Sequence, residues 1–307
     1  MNPDHADRLA LARLALDGLS VGDAFGQQFF ADLPHEIATR TPPLPPWQYT
    51  DDTEMALAIF EVLSQCAAID QDRLARQFAR RYMLDAGRGY GAGARMILQD
   101  IADGSPWYVA CRQIFGGQGS LGNGAAMRVA PLGAYFAADV PHVIDQAAAS
   151  AEVTHAHPEG IAGAVAVALA AAWATRRAAG GESDSGQQML MHVLAHTPDS
   201  AVRRGIEQAL AIPLEEWEFN AASALGNGSQ ITAADTVPFC LWCAAAHVDS
   251  YSDALWAAVR VGGDIDTNAA IVGGIVALAV GREGIPVEWL RAREGLVFLG
   301  HQGPLGL

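Results

Sequence analysis

Two runs without a charged residue, "GIAGAVAVALAAAWA" at 160–174 and "NAAIVGGIVALAVG" at 268–281, constrain this chain more than any other feature. Each is too apolar to lie on a surface, yet shorter than the roughly 18–20 residues a bilayer span needs. Both are made of small residues, Ala and Gly, rather than Leu and Phe, so neighbours can pack closely on every side. A segment that is apolar all round is a core element. Other helices therefore have to surround these two.

The rest of the chain supplies them. Leu11, Leu14, Ala15 and Leu19 share one helical face within 6–20, as do Met55, Ile59, Leu63 and Cys66 within 53–67. The same period predicts helices near 71–84, 90–102, 107–114, 125–138, 141–151, 158–178, 186–195, 199–210, 214–224, 233–246, 251–260 and 267–281. Alternating β-branched runs bounded by turn residues are absent, so no strand is expected. The length of 307 residues allows one large domain or two ordinary ones. No linker and no fixed-period repeat divides it. The expectation is an all-α fold, a single compact multi-helix domain spanning 1–307.

Punctuation sets the boundaries. "PHEIATRTPPLPPW" (34–47) reads as a loop, because proline lacks the amide donor and clashes with the preceding turn. "GGESDSGQ" (180–187) reads as an exposed loop. "GLSVGDAFGQQFF" (18–30) ends the first helix at Gly22–Asp23, with Asp23 a cap or a supporting partner of a metal site.

The N-terminus lacks the basic, apolar and small-residue series of a secretory signal. Cys240 and Cys243 form a C-x-x-C inside an apolar helical pattern, with no second pair and no metal-spaced His. Buried thiols are favoured over a redox or zinc site, and a reducing, cytoplasmic location is expected. The formal net charge of −15 argues against sequence-independent nucleic-acid binding and favours metal cations.

Two acidic helix mouths stand out. In "YTDDTEMALAIF" (49–60), Thr50, Asp51 and Asp52 precede an apolar-periodic helix. Asp51 and Glu54 have the form of a capping box, so a cap and a metal site are both open. In "GGDIDT" (262–267), Asp264, Asp266 and Thr267 precede another, with Asp266 or Thr267 as the alternative N-cap. The i, i+2 spacing turns both carboxylates to one point if the backbone is extended there. Brought together, the two mouths offer four carboxylates and at least two hydroxyls, a hard-oxygen set suited to Mg²⁺ or Mn²⁺. Two such ions ~3.5–4 Å apart fit so many ligands.

"GGQGSLGNGAAMRVAPLG" (116–133) feeds a helix from a Gly-rich loop, an arrangement that presents amides to an anion or is simply a flexible turn. It has no G-K-[ST] and no preceding strand, which excludes the Walker and dinucleotide patterns. Arg128 either holds the site in place or pairs with a buried acid. In "EVTHAHPEG" (152–160), Pro158 suits a first helical position and His157 a cap, while His155 either faces a ligand or is structural.

Taken in order, "GDAFG", "YTDDTEM", "GSLGNGAAMRVAPLG", "THAHP" and "GGDIDT" resemble the ADP-ribosylglycohydrolase family from Gly22 to Gly281. That family includes the dinitrogenase-reductase-activating glycohydrolases and the ADP-ribosyl-arginine and ADP-ribosyl-serine hydrolases. The resemblance implies an all-helical metal-dependent hydrolase with two divalent cations, Mg²⁺ or Mn²⁺. Their ligands would be Thr50, Asp51, Asp52, Asp264, Asp266 and Thr267, with Asp51, Asp52 and Asp266 catalytic. Gly119, Ser120, Gly122, Asn123 and Gly124 would line the diphosphate and ribose, His155 would contact the ligand, and Phe115 would meet the adenine. The implied partners are ADP-ribosylated proteins or ADP-ribose conjugates, with nucleic acid entering only if ADP-ribosylated and no membrane involved. A non-catalytic ADP-ribose-binding module is the alternative, and a structural protein whose acidic mouths are only caps ranks last. Two positions depart from the family: Phe30 stands where many members carry a Glu, and Leu121 where the serine-directed branch has an aromatic, unless Tyr90 or Tyr108 replaces it.

Overall fold

The computed structural model describes residues 3–31, 33–181 and 185–299. Among them are sixteen α-helices, four short 3₁₀ turns and no strand. Among the described residues the only β-type pairs are isolated bridges, Trp47 with Arg293 and Gly122 with Thr232. The fold is all-α.

The two uncharged runs lie at its centre. Ile265–Val280 and Pro158–Ala178 are helices whose residues are almost entirely buried. The second is longer than the run that marks it: its 21 residues suffice in length and composition to cross a bilayer, but 83% of its apolar window is buried by the rest of the protein.

Small residues set the approach distances. The first helix, Pro3–Gln27, lies along Ile265–Val280 in the most extensive helix pairing of the fold. Gly18, Gly22 and Gly26 recur every four residues, one turn apart on one face. A Cβ at Gly22 would stand 2.1 Å from the Ala269 carbonyl oxygen, and one at Gly26 2.7 Å from the Asp266 Cα. The same device seats Gly133 on Ala168 and Gly163 on Ala233.

Four boundaries differ from the sequence expectation. The first helix does not end at Gly22–Asp23 but runs to Gln27. Asp23 is an interior residue whose carboxylate finds donors on another helix, so it does not compete with its own backbone. Within the expected 34–47 loop, Pro34–Thr39 is a short helix. Pro34 occupies a first-turn position, where its missing amide costs nothing. The helix expected over 125–138 is broken into a 3₁₀ turn, Asn123–Ala125, and a short helix, Ala130–Tyr135. The helix expected from 214 begins at Glu218. Of the 180–187 loop, residues 182–184 lie outside the described residues, and a helix starts at Gly186.

Candidate metal centre and ligand cleft

Asp51–Cys66 starts at Thr50, and Ile265–Val280 starts at Asp264. Neither N-cap residue makes a side-chain capping bond. The capping box is not formed either: Glu54 reaches Arg81 Nη1 at 2.7 Å, and the Asp51 amide donates to the Arg88 carbonyl at 2.7 Å. Asp266 Oδ1 does accept from the first-turn amide of Thr267 at 2.8 Å, but neither mouth is capped by its N-cap side chain.

They converge on the first helix. Asp23 is fully buried and accepts from the amide and hydroxyl of both Thr50 and Thr53. Thr50 Oγ1 also lies 3.0 Å from Asp52 Oδ2. Asp23, Asp52 and Asp266 each bring a carboxylate oxygen to within 4.8 Å of the other two. Asp52 Oδ1 is buried with no hydrogen-bond partner among the described residues.

The backbone between Asp264 and Asp266 is not extended, because Ile265 already begins the helix. Asp266 turns toward Asp23 and Asp52, whereas Asp264 Oδ2 accepts from Asn123 Nδ2 at 2.6 Å. Gly262 and Gly263, at φ of 70° and 78°, make the turn, and a Cβ on Gly263 would meet the Asn227 carbonyl oxygen at 2.1 Å. Asp51 Oδ1 borders Gly89, and Thr267 is buried beside these acids.

Packing so many carboxylates together makes each hard to ionise. Burial, then the charge of Asp23 and that of Asp264, pushes Asp51 up to about 7. Burial and the neighbouring acids push Asp52 and Asp266 well above the usual carboxylate range. Burial raises Asp264 also. Asp23 is pushed up to about 6 by burial, opposed by its hydrogen bonds from Thr53 and Thr50. The donor set is all oxygen, and a cation among these groups would relieve their repulsion and engage the orphaned Asp52 oxygen.

The Gly-rich loop joins the centre through Asn123, which donates to Asp264 and to Thr236 Oγ1. It also lies over the His155 segment. A Cβ on Gly119 would meet Ala156 at 2.9 Å, and one on Gly124 would meet His155 Nε2 at 3.1 Å. The loop is not an open row of amides, however. The Gly122 amide donates to Ser120 Oγ and the Asn123 amide to the Ile231 carbonyl.

His155 is buried, with its Nδ1 2.8 Å from Thr154 Oγ1. His157 caps the next helix as expected, accepting from the Glu159 amide. Phe115 is 63% exposed and its ring rests on Gly93. Leu121 is partly exposed. Tyr90 is buried and so cannot offer a face to a ligand, while Tyr108 is exposed beside Trp107. Phe30 is half exposed on the 3₁₀ turn Gln28–Ala31. A cleft of about 250 Å³ opens beside Thr50, between Gln27, Gln48 and Tyr49 on one side and Asp85, Gly87, Arg88 and Gly89 on the other.

Asn227 and Asn268 escaped the sequence reading, while Asp23, expected as a cap or a supporting partner of a metal site, stands within the carboxylate group itself. Asn227 accepts at its carbonyl from the Asp264 amide and from Asn268 Nδ2, and so holds the turn before Asp264. The "GNG" at 226–228 was the available signal.

A family model described as ADP-ribosylglycohydrolase matches residues 1–302. The chain is 31% identical to ADP-ribosylhydrolase ARH3 of Homo sapiens, over 80% of this chain and 75% of that one. It is 30% identical to an uncharacterized protein of Archaeoglobus fulgidus, over 92% and 91%. A solved structure, an ADP-ribosylglycohydrolase-related protein complex, matches with a TM-score of 0.64 and 26% identity, covering 96% of this chain and 94% of that one.

Proposed function

Since the chain belongs to the ADP-ribosylglycohydrolase family, we propose that it hydrolyses the glycosidic bond between ADP-ribose and a modified protein side chain or small molecule, releasing ADP-ribose. The observation that carries this is the meeting of two acidic helix mouths with Asp23, where Asp52 and Asp266 share one 4.8 Å group.

Thr50, Asp51, Asp52, Asp264, Asp266 and Thr267 are the residues that would hold two divalent cations, Mg²⁺ or Mn²⁺. The all-oxygen chemistry and the unpartnered Asp52 Oδ1 fit that role. When bound, such cations supply Lewis acidity toward ribose hydroxyls and water. Asp51 or Asp52 accepts the proton of the attacking water at a carboxylate oxygen. Asp266 shares the centre from the opposite helix mouth. Gly119, Ser120, Gly122, Asn123 and Gly124 line the diphosphate and ribose, His155 closes that side, and the exposed ring of Phe115 meets the adenine. Binding energy distant from the anomeric carbon then positions it. The four free cysteines accord with a cytoplasmic setting.

The test is ADP-ribose release from arginine-linked and serine-linked ADP-ribosyl peptides with Mg²⁺, Mn²⁺ or EDTA, beside Asp266→Ala. Metal-dependent release that the variant loses supports the hydrolase and names the linkage. Phe30, in the place of a family Glu, favours a second reading, a non-catalytic ADP-ribose binder. Binding of ADP-ribose without release from either peptide would select it.

A further inference from the structure

Arg128 is fully buried, and no carboxylate pairs with it among the described residues. Its guanidinium lies over the Phe78 ring, 4.3 Å from the centroid. Nη2 donates to the Ser150 carbonyl at 3.1 Å and to Thr154 Oγ1 at 2.9 Å. Thr154 is fully buried too, and among the described residues its only other side-chain partner is His155 Nδ1 at 2.8 Å. A guanidinium has donors only, so Thr154 Oγ1 must accept from it. The one hydroxyl proton then has a single acceptor within reach, the Nδ1 of His155. Were Nδ1 protonated instead, Thr154 Oγ1 would accept twice and bury its own proton unpaired, which native structures avoid.

We propose that Arg128 and Thr154 are positioning residues that fix His155 as the Nε2–H tautomer, aiming one ring N–H at a ligand oxygen held by the Gly-rich loop. His155 is 7% exposed, and its Nε2 has no partner among the described residues. That nitrogen faces the loop: Cβ atoms added at Gly124 and Gly122 would stand 3.1 and 3.4 Å from it. Only glycine at those positions leaves space for an incoming oxygen. Burial and the Arg128 charge together push His155 down to about 3, so the ring stays neutral and its tautomer matters. The charge that acts on the ring is that of Arg128, a cation that opposes an imidazolium. The chemical class of ligand recognised is an oxygen acceptor, a phosphate or ribose oxygen of ADP-ribose, and to that extent the inference rests on the proposed function.

The test uses the full chain labelled with ¹⁵N-histidine. Ring ¹⁵N spectra of the protein are expected to show His155 Nε2 bearing the proton and Nδ1 bare. Thr154→Val keeps the shape and removes the hydroxyl. It is expected to lose that pattern and to weaken ADP-ribose binding about tenfold by calorimetry, with the helical circular dichroism unchanged. Thr154→Ser is expected to restore both. A wild-type spectrum showing Nδ1–H would overturn the proposal, as would a Thr154→Val protein with unaltered tautomer and affinity. Failure of the hydrolase reading is separable: a chain that binds ADP-ribose without releasing it from any peptide leaves these results unchanged.

Discussion

Asp23 and Thr50 are bound twice over: the carboxylate takes the Thr50 amide at 3.0 Å and its hydroxyl at 2.8 Å. This pair joins the interior of the first helix to the mouth of Asp51–Cys66 and sets where Asp51 and Asp52 begin. Asp23→Ala would orphan the amides of Thr50 and Thr53 in a buried place. Each orphan costs about 1–3 kcal/mol, partly offset by relief of the repulsion on Asp52 and Asp266. The expected net loss is about 2–4 kcal/mol, read as a lower melting temperature in EDTA. An unchanged melting point would show that the tie lies elsewhere.

Stability of the metal-free protein should fall as pH rises from about 4 to about 7. Asp23 and Asp51 titrate at about 6 and about 7 in the folded chain, against an unfolded value near 3.9. Between these limits the folded state holds more protons than the unfolded one, so each step up in pH favours unfolding. The contribution is whole below about pH 4 and is lost through the folded pKa values. A divalent cation displaces those protons and should reverse the slope. Melting curves from pH 4.5 to 7.5, with EDTA and with Mn²⁺, check this. Parallel curves in the two conditions would argue against a shared cation site.

Gly22→Ala should be among the most damaging single-methyl changes in the chain. The added Cβ would fall 2.1 Å from the Ala269 carbonyl oxygen, a backbone atom in the middle of a core helix. The two helices would have to part, at a cost of about 1–3 kcal/mol or more. Since Asp23 follows Gly22 and Asp266 precedes Ala269 by three residues, the carboxylate group would open with them. The expected result is a lower melting temperature together with weaker Mn²⁺ binding by calorimetry. Gly91→Ala, which meets nothing within 4 Å, is the control and should change neither.

What was legible in the sequence was whatever one element carries by itself. The apolar period marked nearly every helix, and the paired acids of "TDDT" and "GGDIDT" marked both mouths. What was not legible depends on a partner far along the chain. Asp23 reads equally as a helix cap or as a supporting partner of a metal site until Thr50 and Thr53, 27 and 30 residues away, are seen to satisfy it. The Gly18–Gly22–Gly26 face shows its meaning only against Ile265–Val280. The broken helix after Asn123 follows from that residue's bonds to Asp264 and Thr236, which no local propensity encodes.

The C-x-x-C should behave as packing rather than as chemistry. Cys240 and Cys243 have no exposed surface, and burial raises both thiols. Cys240 Sγ points to Asn268 Oδ1 at 3.3 Å, and Cys243 Sγ to the Ala254 carbonyl at 3.4 Å. Neither thiol is presented to solvent or to a cationic group that would lower its pKa, the condition for a reactive cysteine. Cys111 is buried likewise, which leaves Cys66 as the partly exposed thiol. Titration with a chromogenic disulfide at pH 8 should therefore count one fast thiol in the native protein and four in denaturant. Three fast thiols, with the extra pair assigned by mass spectrometry to Cys240 and Cys243, would mean that the helix Ala233–Ala246 opens. A redox role for the pair would then have to be considered again.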